Sequence, residues 1–144
     1  MKKIRGYIFS RSFFGERVPQ NVQNLVIRDY CNKLGYQYLL SSVEYTMKDS
    51  SLMLNSILKE IKNINGIIFY SYFQLPSSIK ERNNLYKVMF SNNKSLHFAL
   101  ENIEIRNLEE SLKIDETLSI KRFLVNSDYY EKVKNYFNKV SYNG

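Results

Sequence analysis

The sequence predicts an α/β fold, a three-layer sandwich in which helices cover both faces of a mostly parallel sheet of four or five strands. Four short apolar runs are nearly continuous and rich in Ile, Phe, Tyr and Leu; they span residues 4–9, 36–40, 66–70 and 96–100. Such runs are typical of strands that are buried on both faces. Helical patterns lie between them, and this alternation favours parallel strands joined by right-handed crossovers.

Three helices are predicted between these strands. Apolar residues recur at helical spacing in each: Val22, Leu25, Val26 and Tyr30 in the first, Leu52, Met53, Ile57, Leu58 and Ile61 in the second, and Leu85, Val88 and Met89 in the third. We expect Gly35 to end the first helix. Asp49 or Ser50 is expected to cap the start of the second, and Ser77 the start of the third, which begins after Pro76.

After a short fifth strand at residues 103–105, the rest of the chain is expected to be helical. The chain has 144 residues and no Pro- or Gly-rich linker, so we predict a single domain over 1–144 with a helical extension from about residue 107. No apolar run reaches the roughly 20 residues of a membrane helix, and the basic start "MKKIRGYIF" has no cleavage site after it. A cytoplasmic location without a membrane partner is therefore expected.

Composition argues against a metal or a cofactor. The chain has one cysteine, Cys31, and one histidine, His97, and the histidine is expected to be a core residue. Neither G-x-G-x-x-G nor G-x-x-x-x-G-K-[ST] is present, so no dinucleotide or nucleoside triphosphate is suggested. The net charge of +7 is spread along the chain rather than gathered in a block, which does not favour nucleic acid as a partner.

Polar residues follow each of the four predicted strands, and in a parallel sheet these carboxyl ends meet at one edge, where ligands bind. They are Ser10, Arg11 and Arg17 after the first strand, Glu44 after the second, Ser71 and Gln74 after the third, and Glu101 after the fourth. We expect the arginines to clamp an anion, the glutamates to act as acid or base, and the serines and the glutamine to contact the ligand. Each residue taken alone is also compatible with a solvent contact or a helix cap.

The first of these loops, "SRSFFGERVPQ", holds two phenylalanines where a solvated loop would have none. We expect Phe13 and Phe14 to pack the loop down or to meet a second subunit, while Gly15 allows the turn. Such packing would hold Arg11 and Arg17 in place before a ligand arrives and so lower the ordering cost of binding.

The stretch "RGYIFSR" and the helical "VQNLVIRDYCNKLGYQ" resemble the start of the serine recombinase catalytic domain, in which G-Y-x-R-V-S runs off the first strand. "NGIIFYSYFQLPSS" resembles a later segment of that family, and the resemblance covers about residues 4–106. It implies a resolvase-like fold with a flavodoxin-like strand order. The chemistry does not carry over, because with Tyr7 aligned the family's arginine and serine face Phe9 and Arg11. Gln74 and Pro76 stand in the region of its arginine cluster, so an active serine recombinase is not expected.

A closer resemblance is to the sporadic carbohydrate cluster proteins, a small bacterial group. It rests on "RGYIFSRSFFGERVPQNVQNLVIRDYC" and "YSYFQLP", residues 5–31 and 70–76. It implies a role in surface-carbohydrate biosynthesis, with an anionic sugar derivative or a sugar nucleotide bound at the strand ends. A non-catalytic scaffold for neighbouring biosynthetic enzymes and a degenerate, recombinase-derived DNA-binding protein are the alternatives. The protein partners to test are those enzymes and a second copy of the chain, as a homodimer.

Overall fold

The computed structural model describes residues 1–125 and 128–143. The strands are β1 (Lys3–Phe9), β2 (Gln37–Glu44), β3 (Gly66–Phe69), β4 (Ser95–Phe98) and β5 (Ile103–Ile105). The helices are α1 (Gln20–Leu34), α2 (Leu52–Lys59), α3 (Ile79–Ser91), α4 (Leu108–Val125) and α5 (Asp128–Asn143), with 3₁₀ turns at Ile61–Asn63 and Tyr72–Gln74. The chain divides into two compact units, Met1–Ser111 and Leu112–Gly144. The single domain expected from the sequence stays a prediction.

The first unit contains a five-stranded sheet in the order β2-β1-β3-β4-β5. β1 to β4 are parallel, and β5 pairs antiparallel with β4. The order 2-1-3-4-5 is that of flavodoxin-like sheets. The structure thus confirms the predicted α/β class, the mostly parallel sheet and the short strand at residues 103–105.

Strand position in the sheet determines how well the apolar runs predicted each strand. β3 and β4 are buried at every position, and β1 is buried at most of its positions, because each lies between two other strands. β2 is an edge strand and mostly exposed or half-buried, with Leu40 77% exposed. Its sequence therefore lacks the continuous apolar signal over its second half. The prediction that this strand ends at residue 40 is wrong, since Ser41 and Ser42 belong to β2.

Alternating positions of the sheet contribute to two faces. On one face, Ile4, Ile8 and Ile68 form a buried cluster with Ile27 and Tyr30 of α1. The apolar residues of α1 at helical spacing predict the buried face of this helix only in part. Val22 and Leu25 are 38% and 61% exposed, and the buried positions are Gln23, Ile27, Tyr30 and Cys31.

The structure confirms one predicted helix end and corrects two helix starts. Gly35 ends α1 in the left-handed conformation at φ +70°, which glycine adopts at little cost. Ser78, rather than Ser77, caps α3, since its Oγ accepts a hydrogen bond from the Glu81 amide. Neither Asp49 nor Ser50 caps α2, because a carboxylate from β2 occupies that place, as described below.

His97 lies in the core, as expected, and is fully buried on β4. Tyr30 Oη lies 3.0 Å from its Nδ1 and Ser95 Oγ 2.8 Å from its Nε2, so both ring nitrogens have partners. Burial lowers the pKa of His97 to about 4, against the opposing effect of the Glu104 carboxylate. The ring is therefore neutral near pH 7 and serves the core.

The second unit comprises most of α4 and all of α5. Ile114 and Leu118 of α4 are buried. Among the described residues, no helix is both long and apolar enough to cross a membrane.

Candidate ligand-binding site

The carboxyl ends of β1 to β4 form one edge of the sheet, and four connections meet there. They are the β1–α1 loop (residues 10–19), the β2–α2 loop (residues 45–51), the β3–α3 loop (residues 70–78) and the β4–β5 turn (residues 99–102). Every site residue predicted from the sequence lies in or directly beside these connections. We call this region the strand-edge site.

The β1–α1 loop is held down by its phenylalanines. Phe13 and Glu16 exchange two backbone hydrogen bonds of 2.9 and 3.1 Å around a turn in which Phe14 and Gly15 have φ values of +50° and +78°. The Phe13 ring lies 6.3 Å from the Tyr70 ring between centroids. The Phe14 ring lies 5.2 Å from that of Phe73. The loop thus packs onto the β3–α3 loop, as one of the two sequence expectations stated, and Gly15 supplies the turn.

Arg11 binds the protein's own backbone. Its Nη1 donates to the carbonyls of Tyr45 and Met47 at 2.9 and 3.0 Å, and its Nη2 donates to that of Ser50 at 3.0 Å. Its guanidinium also lies 4.2 Å from the centre of the Phe9 ring, within the range of a cation–π contact. Arg11 therefore fixes the β2–α2 loop and is not a free anion clamp.

Arg17 is the arginine of this loop that faces solvent. Among the described residues it has no hydrogen-bond or ion-pair partner, in contrast to Arg11. A guanidinium in this state can bind a phosphate or a carboxylate through two parallel hydrogen bonds. The predicted anion clamp therefore rests on Arg17.

Glu44, at the end of β2, is buried and surrounded by donors. Tyr7 Oη donates to its Oε1 at 2.8 Å, and Ser50 Oγ donates to its Oε2 at 3.0 Å. The backbone amides of Met53 and Leu54, in the first turn of α2, donate at 3.2 and 3.3 Å, and that of Tyr45 donates at 2.9 Å. Glu44 is thus the cap of α2, in place of the predicted Asp49 or Ser50.

The pKa of Glu44 reflects two opposing effects. Burial raises the pKa. The hydrogen bonds from the Tyr45 amide, the Tyr7 hydroxyl and the first-turn amides of α2 lower it by a larger amount, so the pKa lies below its usual range. A carboxylate that stays ionised and fully bonded suits a structural role. Ser10 belongs to the same part of the molecule, since its Oγ donates to the Glu44 carbonyl at 3.1 Å.

A second buried network joins α1 to the β3–α3 loop. Gln23 Oε1 accepts a hydrogen bond from the Phe9 amide at 3.1 Å, and Gln23 Nε2 donates to the Phe9 carbonyl at 2.8 Å. The same Nε2 also donates to the Val18 carbonyl. Gln74 Nε2 donates to Gln23 Oε1 at 2.8 Å, and Gln74 Oε1 accepts from the Ser71 amide at 3.3 Å. The predicted ligand contacts Ser71 and Gln74 are therefore both buried within this network.

Glu101 ends this network at the surface and is half-buried. Ser71 Oγ donates to its Oε2 at 2.8 Å, and the Tyr72 amide donates to its Oε1 at 2.9 Å. Burial raises the pKa of Glu101 above its usual value, although both hydrogen bonds oppose this. Of the two carboxylates predicted as acid or base, Glu101 is the one with solvent access and a raised pKa.

Sequence reasoning missed three residues of this region: Gln23, Phe73 and Tyr7 in its role toward Glu44. A polar residue within the apolar pattern of α1 was the available signal for Gln23, because buried amides must be hydrogen-bonded. Within the described residues, no group of three or more His, Cys, Asp or Glu side chains is placed to hold a metal ion.

Comparison of the structure with solved proteins gives the fold. The N-terminal catalytic domain of TP901-1 integrase superposes with a TM-score of 0.60 at 18% identity, covering 83% of this chain and 95% of that domain. A resolvase family site-specific recombinase from Streptococcus pneumoniae superposes with a TM-score of 0.59 at 9% identity, covering 96% and 99%. This chain has the resolvase fold. No protein-family model and no curated protein matches the sequence significantly.

The shared fold confirms the distant resemblance to serine recombinase catalytic domains. At such low identity it shows the fold alone, because one fold supports many functions. In this chain, Ser10 follows β1 directly, but Arg11 beside it is bound to loop carbonyls.

Proposed function

We propose that this chain binds an anionic sugar derivative at the strand-edge site, in a pathway of bacterial surface-carbohydrate biosynthesis. The pathway rests on the resemblance of residues 5–31 and 70–76 to the sporadic carbohydrate cluster proteins. One observation supports a common binding site, since these two stretches pack on each other at the strand edge. They meet through the Gln23–Gln74 hydrogen bond of 2.8 Å and through the Phe13–Tyr70 and Phe14–Phe73 ring contacts.

The exposed groups of the site suit such a ligand. Arg17 would bind a phosphate or carboxylate, and the Glu101 oxygens have lone pairs left to accept from sugar hydroxyls. Phe14 and Phe73 are half-buried and offer apolar ring surface to the carbon face of a sugar. The buried Glu44, Gln23 and Gln74 hold this arrangement in place before a ligand arrives, which lowers the ordering cost of binding.

Changing Arg17 to alanine is expected to remove ligand binding and leave folding intact. A sugar phosphate or sugar nucleotide that binds the native protein raises its melting temperature by mass action, and this shift should vanish in Arg17→Ala. Arg28→Ala is the matched control, since Arg28 is an exposed arginine of α1. Differential scanning fluorimetry across a panel of sugar phosphates and sugar nucleotides measures the shift.

Arg11→Ala separates the two arginines. Its loss leaves three backbone carbonyls without their charged donor, so we expect a loss of about 1–3 kcal/mol in the free energy of unfolding. Arg17→Ala should stay within about 0.5 kcal/mol of the native protein, as is usual for an exposed site. If no sugar derivative shifts the melting temperature, or if Arg17→Ala keeps the shift, the proposal is wrong.

DNA binding without cleavage is the second candidate, and its support is the fold shared with the recombinase domains. We expect no covalent adduct between Ser10 or Ser12 and DNA, because the serine–arginine arrangement of the recombinases is out of register in this sequence. Any DNA affinity should be sequence-independent and fall steeply with salt through counterion release. Denaturing gels of protein incubated with duplex DNA, and binding at two salt concentrations, test both points. A denaturant-resistant adduct, or affinity that persists at high salt, contradicts this prediction.

A further inference from the structure

A cavity of about 400 Å³ lies between α2 and α3, and the neighbouring ends of the β2–α2 and β3–α3 loops contribute Ser51, Pro76 and Ser78 to its lining. Its apolar lining includes Leu54 and Leu58 of α2 and Leu85 of α3. Leu54 and Leu85 are almost fully buried and form a fixed floor. This volume lies in the range of small-molecule sites and fits a ligand the size of a nucleotide.

Two asparagines line the cavity from opposite helices, Asn55 on α2 and Asn84 on α3. Both are exposed, and neither carboxamide has a hydrogen-bond partner among the described residues. A carboxamide presents a donor and an acceptor side by side, and this pattern pairs with the N6 and N7 positions of adenine. An apolar floor beneath paired amides suits a flat ring that carries polar groups at its edge.

Two charged side chains, Lys80 and Glu81, also line the cavity. Lys80 is exposed and makes no ion pair within the described part of the chain. Glu81 is held toward α2, since Ser51 Oγ donates to its Oε2 at 3.2 Å. Lys80 can bind a phosphate, and a carboxylate such as Glu81 can accept from ribose hydroxyls.

We propose that the α2–α3 cavity binds a nucleoside monophosphate with adenine as its base. Asn84 and Asn55 contact the base edge, the three leucines pack on its ring, Glu81 accepts from the ribose hydroxyls, and Lys80 binds the phosphate. A simple anion would be repelled by the Glu81 carboxylate and would make no contact that needs the two asparagines. A purely apolar ligand would make no hydrogen bond to either carboxamide.

This site is independent of the proposed function, because Arg17 and Glu101 do not line the cavity. An experiment that contradicts one of the two proposals therefore leaves the other one standing. Binding of AMP should survive Arg17→Ala, and binding of a sugar phosphate at the strand-edge site should survive Asn84→Leu.

Isothermal titration calorimetry with AMP, adenosine and inorganic phosphate tests the inference. We expect native protein to bind AMP, and Asn84→Leu to bind it at least about tenfold more weakly through loss of one bidentate base contact. Asn83→Leu is the matched control, because Asn83 is an exposed neighbour on α3 that does not line the cavity. Lys80→Ala should weaken AMP binding but leave adenosine binding unchanged, whereas Lys87→Ala should change neither.

Circular dichroism confirms that each variant keeps its fold. The inference is overturned if native protein shows no AMP binding, if Asn84→Leu and Asn83→Leu bind AMP equally, or if inorganic phosphate binds as tightly as AMP. Equal affinity for UMP also overturns the assignment of adenine.

Discussion

Replacing Gly66 with alanine is expected to destabilise the protein by about 3 kcal/mol, the upper part of the range for overpacking a core. Gly66 begins β3 and lies between Ile4 of β1 and Ser95 of β4. A Cβ at this position would stand 2.6 Å from the Ser95 carbonyl oxygen and 2.8 Å from Ser95 Oγ. The carbonyl belongs to the backbone of a neighbouring central strand, so relief requires that strand to move.

Urea denaturation of Gly66→Ala and Gly15→Ala measures this effect against a matched control. No described residue comes within 4 Å of a Cβ placed at Gly15, but Gly15 has a φ of +78°. We therefore expect only the conformational cost there, about 1 kcal/mol. Equal losses in the two variants would show that the Ser95 contact does not determine the cost at Gly66.

The sheet could be predicted from the sequence because its central strands are buried on both faces. Residues 66–70 and 96–100 are nearly continuous apolar runs, a pattern that is typical of strands buried on both faces. The edge strand β2 has a weaker signal, since only Glu44 of its eight residues is buried, and its apolar run predicts the strand only as far as residue 40. The strands were therefore predictable from the apolar runs that burial requires, rather than from strand propensity.

The candidate site could be located from the sequence but not described. Its residues meet at the carboxyl edge, as parallel topology requires. Which of them are free depends on side-chain bonds to backbone groups in loops, and no sequence pattern gives these. Arg11 and Arg17 are equivalent in the sequence, yet Arg11 binds three carbonyls, and Arg17 binds none within the part of the chain that the structure describes. The role of Glu44 could not be predicted either, because it depends on where α2 begins and which backbone amides there donate to the carboxylate.

Removing the Glu44 carboxylate is expected to cost about 3–5 kcal/mol, as is usual when one partner of a buried charged network is deleted. In Glu44→Ala, the Tyr7 and Ser50 hydroxyls and the first amides of α2 would lose their acceptor. Urea denaturation at pH 7 measures the loss. Glu109→Ala is the control, because Glu109 is exposed and should change the free energy of unfolding by less than about 1 kcal/mol.

The same carboxylate gives the stability a defined dependence on pH. Its pKa in the folded protein lies below the usual value, because the amides and hydroxyls around it outweigh the effect of burial. Its stabilisation is therefore complete above the unfolded pKa of about 4.3 and is lost as the pH falls through the lower, folded pKa. Glu44→Gln cannot ionise, so the difference in unfolding free energy between native protein and Glu44→Gln should be largest near pH 7 and shrink below about pH 4. Glu109→Gln, which replaces an exposed carboxylate, is the control. A difference that instead grows toward acid pH would mean that Glu44 is protonated in the folded protein, which is incompatible with its place as the charged cap of α2.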